Sequence, residues 1–283
     1  MPIVAAEATP RTERARWSML ALLAAAELLG MSLWFTASAV SPALAAAWEL
    51  DAAAAASLTT AVQLGFVAGT ATAAILNLAD IVPARPYFAI SALLGAAANA
   101  ALLAAGGFAP ALLLRFLTGF FLAGVYPPAM KMIATWFRSA RGLAIGTIVG
   151  ALTIGKATPY LIAALPDAEP RTVILAASAG AVIAALLVLT GYRTGPFPFE
   201  RRPFSWALVG TVLRHRQTRL AILGYLGHMW ELYAMWTLIS AFFYYALLAR
   251  GLDAAAALAL GGIGGFAAIA AGGIGAVLGG AWA

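Results

Sequence analysis

No cysteine occurs in the 283 residues, which excludes disulfides and thiolate metal sites. With only two histidines, His215 and His228, there is also too little to found a catalytic metal centre, and no cofactor is expected. Charge is scarce as well. Asp, Glu, Lys and Arg make up 10% of the chain against 63% hydrophobic residues, a balance too apolar for a water-soluble domain. What fills the sequence instead is a series of apolar windows of about 20 residues, the length a helix needs to cross a bilayer. They fall at 17–40, 57–76, 87–107, 110–131, 142–165, 172–192, 220–248 and 254–283. The expected fold is all-α, a polytopic membrane bundle of about eight transmembrane helices surrounded by lipid.

A net charge of +6 would suit a nucleic-acid partner if the basic residues gathered on one surface. They sort by side of the membrane instead. Alternate connections hold Arg11, Arg14, Arg16, Arg85, Lys131, Arg138, Arg141, Arg193, Arg201, Arg202, Arg214, Arg216 and Arg219, whereas the opposite side holds Arg171 and Arg250. This asymmetry excludes nucleic acid as the reason for the charge and predicts a cytoplasmic N-terminus. The first window is preceded by arginines and followed by Ala43-Leu44-Ala45, in the manner of a secretory signal. Its apolar part is too long for one and contains Glu27, so a retained helix is expected.

Residues 1–16 read as a cytoplasmic tail, 17–192 as six spans, 193–219 as a cytoplasmic linker and 220–283 as two further spans. The linker carries Pro196, Pro198 and Pro203, with Phe197, Phe199, Trp206 and Leu208 among its arginines, and a helix is expected from about Ser205 along the lipid surface. An internal repeat supports the division. Glu27-Leu28-x-x-Met31 returns as Glu231-Leu232-x-x-Met235, 204 residues on, and Leu50-Asp51 with its alanines returns as Leu252-Asp253 at an offset of 202. Small residues four apart at Gly65/Gly69, Gly146/Gly150, Gly261/Gly265 and Gly275/Gly279 allow close helix packing.

Four charged residues, Glu27, Arg115, Lys156 and Glu231, stand inside the apolar windows. A lipid neighbour would cost each about 2.5–3.5 kcal/mol, so a protein interior or a wet cavity is expected around them. Helix rise puts Glu27 and Glu231 ~15–17 Å deep, near the midplane. Windows three and six carry little that is polar beyond Ser91, Asn99, Ser178 and Thr190 and are expected to face lipid. The polar stripes lie elsewhere: Thr59, Gln63 and Thr70; Arg115, Gly119, Leu122 and Tyr126; Tyr225, His228, Glu231 and Met235. Two readings follow. In one, Glu27 or Glu231 carries a coupling proton, Lys156 with Arg115 holds an anionic solute, and Gln63 and His228 assist. In the other, Glu27, Arg115, Lys156 and Glu231 form ion pairs that hold helices together. Trp34, Trp230 and Trp236 suit either stacking on a solute or packing, and Pro127, Pro128 and Pro159 mark expected kinks. No serine–histidine, paired-aspartate or metal-binding set appears at bilayer depth, which argues against an intramembrane enzyme.

Several motifs resemble the major facilitator superfamily. Asn77-Leu78-Ala79-Asp80 followed by Arg85 resembles its cytoplasmic loop signature, with Leu76 and Pro83 where glycines are usual and Ile81 in place of a base. Arg115-Phe116-Leu117-Thr118-Gly119 resembles its arginine motif, and Gly146, Gly150, Gly155 and Pro159 its glycine-rich fifth helix. The run from Gly119 through Tyr126-Pro127-Pro128 to Lys131, with Trp136-Phe137 and Arg141-Gly142, is similar to bacterial members labelled nitrate/nitrite or cyanate-like transporters. Nitrate carriers of that kind place an arginine in span two, where this chain has Gln63.

The resemblance implies two six-helix halves around a central site in the inner membrane, a secondary active transporter of a small solute, and a gate formed by Asp80 and Arg85. Gly280-Ala281-Trp282-Ala283 is similar to the start of a second loop signature, which implies a C-terminally truncated chain lacking four helices. A non-transporting scaffold or sensor is the alternative.

Overall fold

A computed structural model gives the arrangement of residues 10–166, 168–197 and 205–283. The expected tail up to residue 9 and, in the linker, Pro198, Phe199, Arg201, Arg202 and Pro203 lie outside the described residues. The helices are α1 (Pro10–Met31), α2 (Thr36–Ala39), α3 (Ser41–Trp48), α4 (Ala52–Ile75), α5 (Leu78–Ile81), α6 (Ala84–Ala100), α7 (Phe108–Leu122), α8 (Tyr126–Ala134), α9 (Arg141–Ala163), α10 (Pro170–Gly191), α11 (Trp206–Arg214), α12 (Arg216–Leu248) and α13 (Ala254–Trp282). Seven helical stretches among the described residues are long and apolar enough to cross a membrane. The first expected span is not one of them. It breaks after Met31, and α1 takes in Arg14, Arg16 and Glu27 while the remaining apolar residues pass into α2 and α3.

Local chemistry explains the boundaries. The carboxylate of Asp51 accepts from the Ala54 amide at 2.7 Å, and Asp253 accepts from Ala256 at 2.9 Å. Both satisfy an amide that the first turn leaves without a partner, so the second repeat match reflects the same capping of α4 and α13. Span four divides at 123–125, where α8 begins with Pro127 and Pro128 in its first turn, a place where a missing amide costs little. Pro159, by contrast, lies inside a helix that runs on from Arg141 to Ala163.

Small residues set the packing. A Cβ on Gly65 would fall 2.0 Å from the Phe116 carbonyl oxygen, and one on Gly69 2.3 Å from that of Phe120, a constant offset that makes α4 and α7 parallel neighbours. From the other side, a Cβ on Gly119 would stand 1.9 Å from the Val62 carbonyl oxygen. Antiparallel packing joins α9 to α13 along their length, with Gly142 against Gly280 and Gly150 against Gly273. Gly275 and Gly279, expected at an interface, face open space instead. Backbones this close leave no room for a methyl group, so Gly119→Ala is expected to destabilise the bundle by about 1–3 kcal/mol. A lowered thermal midpoint in detergent would show it, with Gly275→Ala unchanged as the control.

The expectation that windows three and six face lipid needs correcting. Half of the apolar window in each is buried, and α6 and α10 pack on one another, with Ser91, Asn99 and Ser178 inside. The most open spanning helix is α12, only 6% of whose apolar window is buried. Surface position also suits α11: Trp206 is exposed, and the helix begins where the linker helix was expected.

Candidate functional site

The break in the first span organises its surroundings. In a continuous helix the carbonyls of Leu33 and Trp34 would accept from amides four residues on; the turn at 32–35 frees them. Arg115, fully buried on α7, answers both: one terminal nitrogen donates to Leu33 at 2.9 Å and Trp34 at 2.7 Å, and the other donates to Asn99 Oδ1 at 2.7 Å. Asn99 in turn donates to Ser178 Oγ at 2.9 Å and to the Ile174 carbonyl at 3.2 Å. The guanidinium thus links α7, α6 and α10 to the broken end of α1. Three of its donations go to the protein itself, and its Nε is buried with no partner among the described residues.

Trp34, held by that network, forms one wall of a cage around Lys156. The ammonium Nζ stands 4.1 Å from the Trp34 ring centre, 5.0 Å from that of Tyr233 and 5.1 Å from that of Trp236. It donates to the Tyr233 hydroxyl at 3.0 Å. Trp34 and Tyr233 stack at 5.6 Å, while Tyr233 and Trp236 meet edge to face at 5.4 Å. The electron-rich faces of three rings stabilise a cation that has left water. Lys156 lies on α9 and the two outer rings on α12, so the cage bridges the segments before and after the linker.

Beside it lies Glu27, with 0% of its surface exposed. Gly155 explains the placement. A Cβ there would fall 2.2 Å from the Leu28 carbonyl oxygen, so α1 and α9 touch backbone to backbone and bring their neighbouring residues Glu27 and Lys156 together. The two are within electrostatic reach, but they form no ion pair, and neither carboxyl oxygen of Glu27 has a hydrogen-bond partner among the described residues. The indole nitrogen of Trp34 is also buried without a partner among the described residues. Tyr126, on α8, is within electrostatic reach of Glu27, Tyr233 and Tyr225. Among the described residues the ion pairs are Glu13–Arg16 and Asp80–Lys131. The four membrane-depth charges are therefore not held as pairs.

Other expected site residues are dispersed. Gln63 is half-buried on α4; Thr59, from the same stripe, is buried and bonded to Ser38, whereas Thr70 is exposed and bonds back to Phe66 at 2.8 Å. His228 and Glu231 are exposed on α12 with Tyr225 and Met235, whereas the α12 rings at Lys156 are Tyr233 and Trp236. Glu231 thus shares Glu27's place in the repeat without sharing its burial. At the basic end, Asp80 pairs with Lys131 of α8, and Arg85 is exposed nearby. Lys131 and Tyr233 are the partners that the sequence reading missed. Tyr233 lies two residues beyond Glu231, so the helical stripe drawn through Glu231 pointed away from it.

The bundle of apolar helices thus encloses an acid, a base and an aromatic cage. A family model described as Major Facilitator Superfamily matches residues 22–283, and the chain belongs to that family, a transporter of the major facilitator type. Comparison with curated proteins gives no match.

Proposed function

We propose that the chain carries a small organic anion across the inner membrane by alternating access, with its N-terminus in the cytoplasm and a proton on Glu27 moving in the same direction. One observation carries the reading: the fully buried Glu27 carboxyl, which has no hydrogen-bond partner among the described residues, lies beside Lys156, which has no ion-pair partner among them. While Glu27 is ionised it supplies Lys156 with a nearby countercharge. Once it binds a proton, the ammonium keeps only the Tyr233 hydroxyl and the ring faces, and the negative group of a solute is its best available partner. Proton and anion therefore favour each other's binding, and by linkage each strengthens the other equally. The cage around Lys156 suits a planar carboxylate, which would gain ring contacts as well as charge.

The same reading assigns the exposed face of Tyr225, His228, Glu231 and Met235 to contact with further helices of this fold, because a carboxylate facing acyl chains costs several kcal/mol. Glu231 then belongs to an interface, separate from the coupling step.

Binding of a panel of small carboxylates tests the proposal through tryptophan fluorescence, since Trp34 and Trp236 both touch the ammonium. Lys156→Gln is expected to weaken the binding of the best ligand at least about tenfold, the usual scale for losing a charged hydrogen-bond partner. Undiminished affinity in that variant would remove Lys156 from the site.

A further inference from the structure

Well away from Lys156, the basic end of the bundle holds a cavity of about 360 Å³. One side is built by α5 and the start of α6, the other by the end of α8 and residues 192–194 after α10. Three cations line it, Arg85, Lys131 and Arg193, against one carboxylate, Asp80. Lys131 is already committed, donating to the Ala79 carbonyl at 2.8 Å and pairing with Asp80. That leaves Arg85 and Arg193, both exposed and neither with an ion-pair partner among the described residues.

The walls are fastened in place. Trp136 Nε1 donates to the Arg193 carbonyl at 2.8 Å, the Gly195 amide to Thr135 Oγ1 at 3.0 Å and the Phe197 amide to the Thr135 carbonyl at 3.0 Å. Gly195 lies so close that a Cβ would meet the Thr135 carbonyl oxygen at 2.2 Å. Arg138 then stacks on Phe197 at 4.4 Å, clamping the strap from outside. The backbone that carries Arg193 is thereby fixed at the cavity wall before any ligand arrives, which reduces the ordering cost of binding.

We infer that this cavity binds a phosphate group, shared between the guanidinium groups of Arg85 and Arg193. Planar guanidinium forks match pairs of phosphate oxygens, and the committed Asp80 leaves the lining with a surplus of positive charge. The volume lies in the range of small-ligand sites, and the apolar lining from Val82, Pro83 and Met132 suits the carbon atoms next to a phosphoester. Two sources share this chemistry: the headgroup of an anionic phospholipid, which would lie at this level of the bundle, and free phosphate. Either would tie α6 to the strap after α10 and hold the basic end together. The inference is independent of what Lys156 carries.

The test is the thermal midpoint of the purified chain in neutral detergent, with phosphatidylglycerol, phosphatidylcholine, inorganic phosphate or chloride at matched ionic strength. A rise with phosphatidylglycerol alone identifies the lipid headgroup; a rise with inorganic phosphate as well identifies free phosphate. Arg85→Gln and Arg193→Gln should each raise the concentration for half effect at least about tenfold. Native mass spectrometry of the unaltered chain gives a second readout, a retained phosphatidylglycerol or phosphate adduct in preference to phosphatidylcholine. Equal response to phosphatidylcholine and chloride with no adduct, or variants that respond as the parent does, would overturn the inference.

Discussion

Replacing Glu27 with glutamine is expected to abolish proton-driven accumulation while leaving exchange of the anion intact. Glutamine has nearly the shape of the protonated acid and fits the same fully buried position, so the contact of α1 with α9 at Gly155 persists. It cannot release a proton, however, and Lys156 loses its nearby countercharge permanently. The unaltered chain should bind its anion more weakly as pH rises and Glu27 ionises, because the carboxylate then competes for the ammonium. Glu27→Gln should hold the strong-binding limit throughout. In liposomes, an inward proton gradient should drive uptake in the parent and give no more than the gradient-free level in the variant, with counterflow measured in both. Uptake in Glu27→Gln that still follows the proton gradient would end the coupling model.

The largest stability effect is expected at Arg115. Arg115→Met should lower unfolding stability by about 3–5 kcal/mol, the scale seen when one member of a buried charged network is removed. Three acceptors lose their donor together: the Leu33 and Trp34 carbonyls and Asn99 Oδ1. Two of these belong to the turn at 32–35, where the helix itself offers no replacement amide, so the carbonyls would be left buried and unsatisfied. Arg115→Lys should recover little, because one ammonium cannot span the directions that a planar fork covers. Trp34 should move as well, since its carbonyl is one anchor, and ligand-dependent fluorescence should fall in both variants. An unchanged thermal midpoint in Arg115→Met would show that the broken end of α1 is held by something else.

Much of the architecture was legible from composition and period. Apolar windows marked the seven long spanning helices, though the first window breaks into α1, α2 and α3, and the repeated Asp51 and Asp253 cap α4 and α13 alike. The burial of Glu27, Arg115 and Lys156 followed from the cost of charge in hydrocarbon. Asn99 and Ser178 show where that argument stopped. One or two small polar groups in an apolar window looked like tolerated residues on a lipid face, yet they complete the network around Arg115.

Three properties follow from the sequence by itself: the bilayer as solvent, the uneven division of positive charge between alternate connections, and the need to shelter ionisable groups. Each depends on local composition or on a sum over a window. Tertiary structure decided the partners. Arg115 went to carbonyls exposed by a helix break, Lys156 to rings from α12, and Glu231 to an open face despite its correspondence with Glu27. Helical periodicity says which residues share a face, but the identity of the facing helix depends on how close backbones approach, and that is settled by contacts such as Gly155 on Leu28 between residues far apart in the chain.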